Sequence, residues 1–169
     1  MATISMYQAS VPYFIRMLRN LRAILEKGAA HAAAKKFDTA VLVQARLAPD
    51  MLPLARQIQI ASDNAKGCAA RLAGVEPPKF EDNETTWDQL LERIDKTVAF
   101  LKSLKPEQVD GSEGRAVTLN LRSGTLNFSG LDYLRFFALP NFTFHVVTGY
   151  NLLRHNGVDI GKSDYLGRD

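Results

Sequence analysis

The sequence is poor in the residues that carry most nucleophilic and metal chemistry. It has one cysteine and three histidines in 169 residues. The single thiol, Cys68, excludes an intramolecular disulfide and fits a reducing compartment; set among alanines in a helical stretch, it reads as a small core hydrophobe. No long run of one charge occurs, Lys35-Lys36 being only a pair, and the net charge of +3 is too small to argue for a nucleic-acid partner. No uninterrupted apolar stretch approaches the ~18 residues of a membrane span, so no membrane partner is expected. The N-terminus lacks a basic region followed by an apolar one, so no signal peptide is expected. G-x-S-x-G and H-E-x-x-H are both missing, and Gly161-Lys162-Ser163-Asp164 follows no strand and lacks the earlier glycine of a phosphate loop. Together these absences suggest a cytoplasmic protein of bacterial type.

What is present is helical. Hydrophobic residues make up 46% and charged residues 23% of the chain, ordinary values for one globular domain, here expected to span 1–169. A first helix is expected over 7–34, where Phe14, Leu18, Leu21 and Leu25 recur at helical spacing; Ser10 and Pro12 fit its entry. Arg16, Arg19 and Arg22 fall on its solvated side. Residues 37–48 read as a linker with a helical turn at Thr39–Ala45. A second helix follows, capped by Asp50, with Pro53 in its first turn, running to Ala73 and stopped by Gly74. Asp50, Gln57 and Asn64 stand seven apart on it, a polar line in an apolar surround, with Gln59 and Asp63 as competing polar positions. A third helix is expected over 85–104, with a capping box of Thr85 and Asp88 and a buried face of Trp87, Leu91, Ile94, Val98 and Leu101. Residues 111–130 alternate polar and apolar around Arg122-Ser123-Gly124, which predicts a β-hairpin. Such a hairpin is marginal alone; packed on the bundle, it would restrict entry to an interhelical pocket.

The fourth helix, Leu131–Gly157, holds two of the three histidines. At about 100° per residue, Leu134, Ala138, Asn141, Gly149 and Leu152 lie within roughly 40° of His145. Asn141 and His145 are thus polar positions on an otherwise apolar stripe, and glycine at 149 suggests close packing or a cavity beside the imidazole. The opposite face carries Phe136, Val147 and Tyr150, and a helix apolar all round is central or covered. A homodimer using this face is expected, unless the hairpin or a loop covers it. His31 and His155 sit near helix ends, where a cation suits the dipole. The tail keeps Ile160, Tyr165 and Leu166, expected to fold back on the bundle.

Four long helices in this order give an all-α, up-and-down four-helix bundle with a small β-hairpin between the third and fourth. The ending FHVVTGYNLLRHNGV resembles the last helix of the DinB/YfiT-like superfamily of metalloproteins. The stretches TISMYQASVPYFIRML, RLAPDMLPLARQIQIASD, LPNFTFH and GKSDYLG resemble a domain-of-unknown-function branch of it. The resemblance implies a divalent metal (Zn, Ni or Mn) held by three histidines, one from the second helix and two from the last as H-x-x-x-H. The second of that pair falls on His145, the first on Asn141, and the second-helix histidine near Gln57. Two of the three positions are therefore amides, which bind first-row transition metals far more weakly than imidazole. Asp50 helps only by reaching inward. Some superfamily members are thiol-dependent transferases.

Three functions compete on these residues. One is small-molecule binding around His145, Asn141, Gln57 and Asp50 with a lost or weakened metal site. Another is a transferase or hydrolase of small substrates, with His145 as acid/base or metal ligand. The last is a non-catalytic dimeric interaction protein.

Overall fold

The computed structural model describes residues 3–121 and 123–167. Helix α1, Met6–Lys35, starts at a capping box in which the Ser5 hydroxyl accepts from the Gln8 amide and Gln8 reaches back to Ser5. Its entry thus lies upstream of Ser10 and Pro12. Pro12 is inside the helix, and the buried Ser10 hydroxyl instead donates to the Met6 carbonyl at 2.6 Å. A short α2, Ala40–Val43, falls within the expected linker turn. Helix α3, Leu54–Ala73, ends at Gly74 with φ +70°, the left-handed closure that favours glycine.

Helix α4, Trp87–Ser103, is capped one residue later than expected. The Thr86 hydroxyl accepts from the Gln89 amide, and Gln89 Oε1 accepts from Thr86 N–H. Asp88 is one methylene shorter than the residues that usually make this return contact. Of the expected apolar face, Trp87, Ile94, Val98 and Leu101 are buried and Leu91 only partly so; Leu90 takes the central place. Trp87 reaches the core over Gly28, where a β-carbon would stand 3.0 Å from the indole. After a single turn, α5 (Pro106–Val109), come β1 (Ala116–Leu121) and β2 (Gly124–Ser129). They pair antiparallel from Ala116↔Ser129 to Leu121↔Gly124. Of the expected turn residues, Arg122 lies outside the described set.

The last long helix is continuous from residue 130 to 155 but not uniform. A turn α6, Gly130–Asp132, leads into a π-helical segment, Tyr133–Ala138, and then α7, Leu139–His155. Pro140, near the start of α7, has no N–H to give and crowds the preceding turn. The wider π-turn upstream takes up the mismatch. Gly130 is needed at the hairpin exit, since a β-carbon there would lie 2.0 Å from the Ser112 carbonyl oxygen. The tail forms α8, Lys162–Leu166, and docks on α1: Asn20 donates to the Tyr165 carbonyl at 3.0 Å and Lys27 pairs with Asp164 at 2.6 Å. Ile160 is buried and Tyr165 partly so, but Leu166 is exposed, a correction to the expected tail packing.

The protein is thus mostly helical with one small two-stranded hairpin. Helices α1, α3, α4 and α7 share one core, and α3 packs against both α4 and α7. On the α4 side it meets Arg93, only 2% exposed. Arg93 donates to Glu84 at 2.9 and 3.0 Å, to Asp63 at 2.7 Å and to the Gln59 carbonyl at 3.4 Å, and lies 3.0 Å from Asp82. Phe80 lies under its guanidinium, 5.4 Å to the ring centroid. Gln59 and Asp63 therefore serve this junction, which ties the proline-containing loop to the bundle. Arg56 joins it, donating to Gln59 at 2.6 Å and to Asp82 at 2.8 Å.

Gly149 faces Ile58, Leu54 and Leu21, and a β-carbon there would meet their methyl groups at 3.7, 3.7 and 3.8 Å. That is ordinary contact, so the glycine reflects neither forced close packing nor a cavity beside His145. Gly149→Ala is expected to raise stability by about 0.5–1 kcal/mol through helix propensity and unfolded-state entropy, read as a higher urea midpoint at unchanged slope. Arg93→Met, which keeps the stem and removes the fork, is expected to cost about 3 kcal/mol, because Glu84 and Asp63 lose a buried cation. Limited proteolysis of the same variant should show earlier cleavage in 75–86.

Candidate ligand site

Residues seven apart on a helix drift only about 20°, so Gln57, Asn64 and Arg71 of α3 share one face. The facing line on the last helix is His145, Asn141 and Tyr133. Gln57 pairs with His145, Asn64 with Asn141, and Arg71 with Tyr133. The numbers rise along one helix as they fall along the other, so the two run antiparallel here.

The deepest pair is a buried one. Gln57 Nε2 donates to the Leu52 carbonyl at 3.0 Å, which turns Oε1 toward His145 Nδ1, 2.7 Å away. An amide oxygen only accepts, so Nδ1 must carry the proton. In the neutral ring, Nε2 is then the atom with the free lone pair. His145 keeps 9% of its surface exposed, and burial holds its pKa below the ordinary histidine value. The Phe144 ring stands edge-on at 5.2 Å.

One turn along, Asn141 Nδ2 donates to Asn64 Oδ1 at 3.0 Å, and Asn64 Nδ2 donates to the Ile60 carbonyl at 2.9 Å. Both amides are thereby oriented. Beyond them, Arg71 Nη1 donates to the Tyr133 hydroxyl at 3.2 Å, with the guanidinium 5.9 Å from the centre of that ring. Burial pushes the Tyr133 phenol up to about 12, so it stays protonated. Here the seam opens into a cavity of about 200 Å³ lined by Asp63, Asn64, Arg71, Leu119, Leu121, Tyr133, Phe137 and Asn141. The hairpin supplies the two leucines and the π-helical segment the aromatic pair.

Of the four expected pocket residues, the structure brings together His145 with Gln57 and places Asn141 one turn away at the cavity wall. Asp50 is not among them. It is exposed in the turn before α3, whose N-cap is Pro53. Two effects displace it. Leu52 precedes a proline and is disfavoured in helical conformation. The Leu54 N–H is also given to the Ala45 carbonyl at 3.0 Å, docking the helix entry on the residues after α2. The polar line instead continues at its other end to Arg71, seven beyond Asn64. That residue and Tyr133 were missed, although the same spacing points to Arg71.

The donor set does not fit the three-histidine metal site. Among the described residues no group of three His, Cys, Asp or Glu side chains is placed to hold an ion. His145 Nδ1 and Gln57 Oε1 are already engaged with each other, leaving Nε2 as the ring nitrogen of His145 with a lone pair to offer. Cys68 is fully buried, and burial drives its thiol pKa far up, so it offers no thiolate.

No curated protein matches the sequence. A crystal structure of a DinB family member protein from Shewanella denitrificans is similar at 38% identity and a TM-score of 0.89, with 96% of this chain and 92% of that one covered. A family model described as a domain of unknown function (DUF1993) matches residues 6–166. The chain therefore belongs to the DUF1993 family and is DinB-like.

Proposed function

We propose that this protein binds a small molecule at the α3–α7 seam without a metal, in an up-and-down bundle whose hairpin walls the entrance. The observation that carries this reading is the cavity of about 200 Å³ against the oriented Asn64–Asn141 pair. Polar groups fixed by their own hydrogen bonds beside an apolar wall are what orients a small ligand. The His145–Gln57 pair lies one turn deeper and braces this wall; at two of the positions where the resemblance implies metal ligands, it holds a hydrogen bond. A small-substrate transferase or hydrolase is the second reading. It is favoured by a neutral His145 whose Nε2 is free to take a proton, and disfavoured by the position of Asp50, which does not orient that ring. Phe136 of the expected face is 66% exposed and supports a homodimer through the outer side of the last helix, where Phe144, not among the expected residues, is 57% exposed and Val147 only partly so. Tyr150, also expected there, is partly covered by the chain's own tail through Tyr165, 6.5 Å between centroids.

Elemental mass spectrometry of untagged protein, after supplementation with Zn, Ni and Mn, is expected to find substoichiometric metal in the wild type and no further loss in His145→Ala. Near-stoichiometric metal abolished by that substitution overturns the metal-free reading. The His145 proton has a second consequence. The unfolded chain binds a proton near pH 6.5, while the folded chain, with its lowered pKa, does so only at lower pH. Stability is therefore full above about 6.5 and falls as pH drops below it. Urea midpoints of the wild type should decline from pH 7 to 5 more steeply than those of His145→Gln. Nitrogen-15 shifts of the ring should show the Nδ1–H form at pH 7. Sedimentation velocity at micromolar concentration is expected to show a dimer that Phe136→Ser with Phe144→Ser dissociates.

A further inference from the structure

Arg71 is a half-buried cation without a carboxylate. Among the described residues no ion pair engages it, and its protein partner is the neutral Tyr133 hydroxyl. The acid on the same cavity wall, Asp63, is already taken by Arg93 at 2.7 Å and Lys66 at 2.8 Å. A guanidinium held partly out of water with most of its donors unused is electrostatically unfinished. It is also seated. A β-carbon on Gly67 would fall 2.6 Å from Arg71 Nη1 and meets no side chain but Arg71 within 4 Å. Glycine inside a helix costs about 1 kcal/mol relative to alanine, and at this position its absent side chain leaves the guanidinium room to lie along α3.

We propose that the cavity takes a small organic monocarboxylate, its carboxylate on the Arg71 fork and the Tyr133 hydroxyl, its apolar body against Leu119, Leu121 and Phe137. This rests on the small-molecule reading above and adds the ligand's chemical class. One unpaired cation suits one negative charge, and a planar fork suits a carboxylate gripped by two parallel hydrogen bonds. Leu119 and Leu121 are two apart on β1 and present the same face, giving the body an apolar floor. The Asn141 amide, committed through its nitrogen to Asn64, keeps an oxygen to accept from a hydroxyl or amine on that body.

The test is a titration of nitrogen-15-labelled protein with benzoate, phenylacetate and 3-phenylpropanoate, each beside its neutral amide. At least one acid is expected to shift the backbone signals of Asn64, Leu119, Phe137 and Asn141 at millimolar concentration or below, and its amide to bind about tenfold more weakly or worse. Arg71→Gln should remove the preference for the acid. Gly67→Ala should be folded and at least as stable as the wild type, yet bind that acid severalfold more weakly because the guanidinium has to leave its seat. Equal binding of acid and amide in the wild type, or an Arg71→Gln variant that keeps the preference, overturns the carboxylate assignment and leaves the cavity reading standing. Unchanged acid binding in Gly67→Ala overturns the seat and with it the assignment. If none of the six compounds shifts these signals, both readings fall. The wild-type acid–amide comparison decides the matter even if Arg71→Gln does not fold.

Discussion

The polar side chains that α3 buries have to find partners on α7, on α4 with the loop before it, or on α3 itself, and this requirement organises the molecule. The helix is covered on two sides, so water can satisfy few of its polar atoms. Toward α4 it presents Gln59, Ser62 and Asp63. Ser62 meets the Thr97 hydroxyl at 2.5 Å, Asp63 and the Gln59 backbone carbonyl accept from Arg93, and the Gln59 side chain donates to Glu84. Toward α7 it presents Gln57 and Asn64, answered by His145 and Asn141. Apolar packing brings the helices together, but these pairs fix their rotation and register. A slide of α7 by one turn would leave buried amide and imidazole groups unpaired, each at a cost of about 1–3 kcal/mol.

The two seams differ in how completely their charges are met. At the α4 seam three cations, Arg56, Lys66 and Arg93, stand among three acids, Asp63, Asp82 and Glu84, and each charge has an opposite one beside it. Burial alone would raise the Asp82 carboxyl, yet Arg56 and Arg93 hold it below the usual range. Such a balanced set stabilises a loop, although the buried Arg93 Nε–H has no hydrogen-bond partner among the described residues. The α7 seam grades from a self-contained pair at His145 to a cation lacking a counterion at Arg71. Function is better sought at the unbalanced end, because a ligand can add only what the protein has left unmet.

The last helix was readable as a helix because Leu134, Ala138, His145 and Leu152 recur at helical spacing and are buried, but α-helical phase carried through the π-helical segment puts Tyr133 about 120° from His145 and hides that it shares the seam. The seven-residue spacing on α3 was readable for the same reason. Errors came where spacing was extended across a boundary that local sterics set. Asp50 continued the polar line on paper, but the Leu52-Pro53 step starts the helix after it. Thr85 and Thr86 are adjacent capping residues and Gln89 Oε1 accepts from both backbones, but it is the Thr86 hydroxyl that takes the Gln89 amide. Gly149 suggested close packing or a cavity, whereas a β-carbon there would make only ordinary contacts. Arg93 gave no sign at all. A charged residue on an amphipathic helix reads as solvated, and its burial depends on a loop with no periodicity of its own folding over it.

The π-helical stretch has a consequence for descent as well as for shape. A π-turn is, in sequence terms, one residue more than the α-helix needs, and each residue turns an α-helix by about 100°. The two halves of the last helix therefore keep separate phase. Whatever sets the facing of His145 downstream does not set that of Tyr133 and Phe137 upstream. A lineage that gained or lost a single codon here would rotate the upstream aromatic half while leaving the histidine–glutamine pair in place. Length variation within 133–138 among relatives would then mark changes in what the wall presents, independent of any change in the bundle itself.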